Sequence, residues 1–141
     1  MSIIAVDFDG TLCEHKYPNI GNEVPGAFAV LKELQAAGHK LIFLSMRCDG
    51  PNSGPVQTDA VVWCMERGVE FWAVNDNPEQ HKWTGSRKVY AHLYIDDAAL
   101  GCPLRASFGV DRPMVDWAKV RKILVKAGLL PAPKRIRKRK P

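Results

Sequence analysis

Four short apolar runs, separated by stretches of helical periodicity, constrain the fold of this chain more than any other feature. Ile3-Ile4-Ala5-Val6, Leu41-Ile42-Phe43-Leu44, Glu70-Phe71-Trp72-Ala73-Val74 and Leu93-Tyr94-Ile95 are continuous rather than alternating. That is the pattern of strands buried on both faces. Between them, Pro25 opens a helical pattern in which Phe28, Leu31 and Leu34 recur, and Gly38 stops it. A second pattern spans 56–67, with Val61, Val62 and Met65 on one side and Gly68 at its end. A short helix is expected over 86–91 and a last one over 113–126, closed by Gly128. Strands alternating with helices predict right-handed crossovers and a three-layer, doubly wound α/β domain, its parallel sheet covered on both faces. A weak fifth strand is expected over 105–108. In such sheets ligands bind beyond the carboxyl ends of the strands, so the residues after each run are the ones to inspect.

Composition sets the remaining bounds. The chain has 141 residues, enough for one domain with its own core, and that domain is assigned to residues 1–130. The four cysteines, Cys13, Cys48, Cys64 and Cys102, are widely spaced and form no CxxC pair. This argues against a structural zinc site or a redox dithiol and for reduced thiols. The apolar run after Met1 is too short for a signal core or a membrane span, so a cytoplasmic location and no membrane partner are expected. The formal net charge is +5, but Lys134, Arg135, Arg137, Lys138, Arg139 and Lys140 supply six cations, and setting them aside turns +5 into −1. Such a block of like charge is expected to form a solvated, disordered tail over 131–141. It also offers a contact for nucleic acid.

The residues after the runs carry the chemistry. Asp7-Phe8-Asp9-Gly10-Thr11-Leu12 follows the first, Ser45-Met46-Arg47 the second and Asp96-Asp97 the fourth, with Lys88 a few residues before it. Folded as above, four carboxylates, a hydroxyl and an ammonium converge on one sheet edge. Carboxylates so crowded repel unless a cation joins them. An oxygen-only ligand set selects a hard cation, and Mg²⁺ completes its octahedron with water or phosphate. A Mg²⁺ ion beside a lysine receives phosphate and lets a dianionic ester approach Asp7. A carboxylate so placed attacks phosphorus to give an aspartyl-phosphate. A second carboxyl protonates the leaving oxygen, then activates water.

These residues resemble the motifs of the haloacid dehalogenase-like superfamily in its phosphatase form, a Rossmann-like fold. Asp7 to Leu12 resembles the first motif, a strand followed by DxDGT. Ser45 resembles the second, Lys88 the third-motif lysine, and Tyr94-Ile95-Asp96-Asp97 the fourth, all in the family's order. The resemblance implies Asp7 as nucleophile and metal ligand, and Asp9 as general acid/base with its backbone carbonyl on the metal. It implies Thr11 and Ser45 as hydrogen-bonding phosphate or orienting the carboxylates, and Lys88 as stabilising the transferring phosphoryl group. Asp96 is implied as a direct metal ligand, and Asp97 as a ligand directly or through water. The second acid, Asp9, favours phosphate esters over haloacids, because a halide needs no proton to leave.

Members of that superfamily differ in inserted cap domains. Only residues 13–24 separate Leu12 from the Pro25 helix, and only 75–85 precede the short helix expected over 86–91. Neither stretch is long enough for a cap. The chain therefore resembles the capless branch, whose open sites act on large substrates or borrow a cover from a neighbouring subunit. Arg47 reads as a bidentate phosphate ligand or a plain surface arginine. His15, Lys16 and Tyr17 stand in the flap after the first motif, in reach of a leaving group. The expected function is a Mg²⁺-dependent phosphomonoesterase acting on a nucleotide, a sugar phosphate or a nucleic-acid end. Two alternatives stay open: a phosphotransferase, and a nucleic-acid-binding module that uses the basic tail.

Overall fold

A computed structural model describes residues 1–134, 139 and 140 of the chain. Among these residues β1 (Ile3–Val6), β2 (Lys40–Phe43), β3 (Ala73–Val74) and β4 (Leu93–Ile95) form a four-stranded parallel sheet in the order β3-β2-β1-β4. Helix α1 (Ala27–Ala36) connects β1 to β2, and α2 (Val56–Met65) connects β2 to β3. A small antiparallel pair, β5 (Leu104–Arg105) and β6 (Met114–Val115), precedes α3 (Trp117–Lys126). The architecture is α/β, as the alternation of runs and helices predicts. The chain steps outward from β1 through β2 to β3, then crosses back to β4 on the far side of β1. This reversal puts the switch point between the carboxyl ends of β1 and β4.

Successive strand residues face opposite ways. Ile4, Val6, Leu41, Phe43 and Ile95 join one buried cluster, to which α1 adds Leu31 and Leu34, α2 Ala60 and Cys64, and α3 Val120 and Leu124. Ile3, Ala5 and Ile42 enter a second, smaller cluster with Ala91, flanked by Trp72 and Val89. All three α-helices thus feed one face, and irregular chain covers the other. The expected third layer of helix is not formed, because residues 86–91 do not coil.

Buried Gln80 accounts for that. It sits in a 3₁₀ turn, Gln80–Lys82, and its amide donates to the carbonyls of Ser86 and Lys88 at 3.0 and 3.1 Å. The same amide accepts from Tyr90 N at 2.8 Å, and buried Asn77 donates to the Tyr90 carbonyl at 2.9 Å. Backbone groups that a helix would pair internally are held by two side-chain amides.

Other boundaries shift for equally local reasons. The third strand keeps only Ala73–Val74 of its apolar run. The fifth strand pairs with β6 rather than the main sheet. The last helix starts at Trp117, four residues later than expected, where Asp116 caps it by accepting from Lys119 N at 3.1 Å. In α2 the buried stripe is Val56, Ala60 and Cys64, one turn apart, whereas Val62 and Met65 are 45 % and 57 % exposed. The small pair Ala60 and Cys64 lets the helix approach the sheet closely.

The β5-β6 pair is tied to the turn after β1. Val115 N donates to the Gly10 carbonyl at 3.0 Å, and the Trp117 indole donates to the Thr11 carbonyl at 2.7 Å. All four cysteines are free, and burial pushes the thiols of Cys13 and Cys64 up to about 12. No helix among the described residues is long and apolar enough to cross a membrane. Leu130 is the last buried residue among them. The expectation for the basic tail falls largely on Arg135, Arg137 and Lys138, which lie outside the described residues.

Candidate active site

Pairing of β1 with both neighbours continues past its last residue. Asp7 N donates to the Ile95 carbonyl and Leu44 N to the Val6 carbonyl, each at 2.9 Å. Asp7 and the Asp96-Asp97 pair therefore emerge side by side at the carboxyl edge. One carboxylate oxygen each from Asp7, Asp96 and Asp97 lie within 4.8 Å of one another. Asp96 Oδ1 accepts from Ala98 N at 2.8 Å, and Asp97 Oδ2 bonds His15 Nε2 at 2.8 Å.

Gly10 turns the chain after β1 with φ +80°, and a Cβ there would stand 2.0 Å from His15 Nε2 and 2.5 Å from Asp97 Oδ2. The left-handed backbone and the lack of space both require glycine. Thr11 is fully buried, and its hydroxyl donates to Asp7 Oδ2 at 2.8 Å while accepting from Asp97 N at 3.2 Å. With its one proton engaged, Thr11 locks the β1 acid to the β4 acid. Of the two roles expected for it, the structure supplies the orienting one and not a phosphate bond. Ser45 N donates to Asn75 Oδ1 at 2.8 Å, and Ser45 Oγ accepts from Arg47 N at 3.1 Å. The hydroxyl proton of Ser45 stays available to a ligand. Asn75, at φ +49°, was not singled out by sequence; its place in an Asn-Asp-Asn cluster after a strand was the available signal.

Arg47 corrects the sequence reading. It is neither a surface arginine nor a free phosphate ligand: it is 2 % exposed and all five of its N–H groups are engaged. Nε donates to Asp9 Oδ2 at 2.9 Å and Nη2 to Asp9 Oδ1 at 2.8 Å. Nη2 also donates to the Asn19 carbonyl at 2.9 Å, and Nη1 donates to the carbonyls of Pro18 and Val56 at 3.1 and 3.3 Å. Burial works against the guanidinium charge, but the bonds to Asp9 outweigh it, so Arg47 titrates above its ordinary value. Asp9 is thereby fixed in orientation by a two-pronged bond.

Asp7 has the opposite electrostatics. Burial, reinforced by the charges of Asp96 and Asp97 and opposed by the Thr11 hydrogen bond, pushes it from 3.8 up to about 8. The folded chain holds this proton more tightly than the unfolded chain. Its contribution to stability is complete below about 4 and is lost as the pH rises through about 8. In a chelating buffer, the unfolding temperature is expected to fall between pH 5 and 8 more steeply in the wild type than in Asp7→Asn. Equal slopes in a thermal-melt series would remove Asp7 as the source.

The four acids, Ser45 and Arg47 line an open cleft of about 500 Å³, together with His15, Tyr17, Met46 and Arg112. Lys88 is not brought there: it is exposed, and its ammonium lies 5.6 Å from the Tyr94 ring centroid. The segment that carries it bends at Arg87 and Lys88, is tied down by Gln80 and leads up the opposite face of the sheet. Arg112 was missed by sequence, since its approach depends on the β5-β6 pair, which no periodicity announced. A second hollow of about 200 Å³, between β4 and α3, is lined by apolar residues such as Leu93, Ile95 and Leu124 and has no charged side chain.

No protein-family model matches the chain, and no curated protein matches it. A solved structure of a conserved protein coded by a locus of Bacteroides thetaiotaomicron is similar to it, with 40 % sequence identity and a TM-score of 0.69. The similarity covers 90 % of this chain and 91 % of that one.

Proposed function

We propose that this chain, which belongs to the same family as the conserved Bacteroides thetaiotaomicron protein, is a magnesium-dependent phosphomonoesterase with a capless haloacid dehalogenase-like fold. The observation that carries this reading is the meeting of Asp7, Asp96 and Asp97 oxygens within 4.8 Å of one another beyond adjacent parallel strands. The donor set suits a hard cation. Asp7, Asp96 and Asp97 would hold the ion, and water or phosphate would complete its coordination. The Asp9 carbonyl is a further donor, since no backbone N–H bonds it among the described residues. Bound Mg²⁺ would supply the positive charge that lets Asp7 ionise and a dianionic ester come near it.

The chain's own groups account for the rest. An oxygen of Asp7 attacks phosphorus as the bond to the leaving oxygen breaks, and the leaving alkoxide takes a proton from Asp9 or solvent. Water then attacks the aspartyl-phosphate, Asp9 accepts its proton, the bond to Asp7 breaks, and phosphate departs. Ser45 donates its hydroxyl proton to a phosphoryl oxygen. Arg47, bonded to both Asp9 oxygens, fixes the orientation in which Asp9 meets the attacking water.

An aryl leaving group departs without a proton, so Asp9→Asn is expected to form phosphoenzyme from an aryl phosphate and discharge it about 10²-fold more slowly. Intact-mass measurement should find a phosphoryl adduct stable in acid and removed by hydroxylamine. Its absence, in a variant shown by circular dichroism to be folded, removes Asp9 from the second step. The broader test is hydrolysis of p-nitrophenyl phosphate by the wild type with Mg²⁺ and with EDTA. No turnover across a series of divalent cations sinks the reading.

A further inference from the structure

We infer that the cleft takes a nucleotide that bears a second phosphate group, held by Arg112 while the first lies over Asp7. The inference rests on the phosphatase reading for the position of the first phosphate. Arg112 lines the same cleft as Asp7, Asp9, Asp96 and Asp97, yet among the described residues it pairs with no carboxylate within 4.0 Å. Arg47, the other arginine of the cleft, has no N–H left to offer. Arg112 is thus the lining cation with a free guanidinium, whose planar fork matches a phosphate. It is exposed, so it stands at the rim rather than on the acidic floor, where a substituent at a distance from the reacting phosphate would lie.

The position of Arg112 is set by its anchor. It precedes Met114 and Val115, both buried, and Val115 N bonds the Gly10 carbonyl within the turn that bears Asp9 and Thr11. The link from Arg112 to the nucleophile's turn is therefore two residues of chain and one backbone hydrogen bond.

Tyr17 supplies the second half of the argument. Its ring lies 5.2 Å from the buried Arg47 guanidinium, yet the residue is 57 % exposed and lines the cleft. A cation on one face fixes the ring and leaves an area open for a flat ligand. Met46, 97 % exposed, extends this apolar rim. A space of about 500 Å³ lies in the range of sites for small organic ligands and exceeds what a bare phosphate needs. A flat base, a sugar between two phosphates and a dianion on the floor match these features together. The second phosphate belongs either to a free nucleoside 3′,5′-bisphosphate or to the next link of a nucleic-acid end.

The test is direct binding, measured by calorimetry with Mg²⁺ on the Asp7→Asn protein, so that it does not depend on turnover. Adenosine 3′,5′-bisphosphate is expected to bind at least about tenfold more tightly than adenosine 5′-monophosphate. Arg112→Gln, added to Asp7→Asn, should bring the two ligands to equal affinity. Tyr17→Leu should weaken adenosine 5′-monophosphate about tenfold relative to ribose 5-phosphate. A 5′-phosphorylated dinucleotide that matches the bisphosphate, with the same dependence on Arg112, assigns the site to strand ends; a clear deficit assigns it to the free nucleotide. Equal binding of mono- and bisphosphate, or an Arg112→Gln loss that preserves their ratio, overturns the proposal. If the wild type hydrolyses p-nitrophenyl phosphate but shows no discrimination, the second-phosphate site fails alone. Discrimination by Arg112 without any hydrolysis would instead sink the phosphatase reading and leave the binding site standing.

Discussion

Asp7→Asn is expected to lower Mg²⁺-dependent hydrolysis of p-nitrophenyl phosphate by at least about 10³-fold, because an amide oxygen is a far weaker nucleophile than a carboxylate. A loss of that size corresponds to about 4 kcal/mol of transition-state stabilisation. The same substitution is not expected to weaken the metal-free fold. Asp7 is held near 8 by burial and by its acidic neighbours, so at pH 8 and above a neutral side chain of the same shape relieves a cost. Asparagine also keeps an oxygen to accept the Thr11 hydroxyl, now bonded to Asp7 at 2.8 Å. Turnover and stability in EDTA should therefore move in opposite directions, a combination that general misfolding cannot produce. Retention of a tenth of wild-type turnover by the folded variant rules out Asp7 as nucleophile.

The acids were legible in the sequence because each follows directly on an apolar run. A strand long enough to be read by composition delivers the residue after it to the sheet edge without further information. Asp7 after Ile3–Val6 and Asp96-Asp97 after Leu93–Ile95 needed only the rule that adjacent parallel strands end together. Ser45 came the same way, two residues after β2. Lys88 failed because its position depended on a helix over 86–91, and nothing in local propensity showed that Gln80 and Asn77 would capture that backbone. Long-range capture by a buried amide has no periodic signature.

The face of α2 was misread for a different reason. Val61, Val62, Trp63 and Met65 stand beside Val56, Ala60 and Cys64, so the helix is apolar on most sides and hydrophobicity does not choose a face. Size chose it, through the two small residues that fit against the sheet. Arg112 and the full engagement of Arg47 were invisible for a third reason: each is a contact between distant loops. Arg47 meets Pro18, Asn19 and Val56 only once the flap and the start of α2 have been brought around it.

That engagement makes Arg47 the residue whose loss should cost the fold most among the polar positions of the cleft. Arg47→Met keeps length and apolar volume but leaves the Asp9 carboxylate without its two donors and takes a donor from each of three carbonyls. Removing one member of a buried ion pair typically costs about 3–5 kcal/mol, which for a chain of this size lowers the unfolding temperature by about 10–15 °C. The loss should be largely electrostatic. In the double variant Arg47→Met/Asp9→Asn no ion is left unpaired, so it should melt above Arg47→Met alone, and a thermodynamic cycle of the four proteins isolates the pair. Strict additivity of the two single losses would mean that Arg47 stabilises the fold through the Pro18, Asn19 and Val56 carbonyls and not through Asp9. Arg47→Lys separates orientation from charge: one ammonium cannot bond both Asp9 oxygens and three carbonyls at once. If Arg47 serves by aiming Asp9 at water, Arg47→Lys should slow discharge of the aspartyl-phosphate more than its formation, seen as accumulating phosphoenzyme in a protein that remains folded.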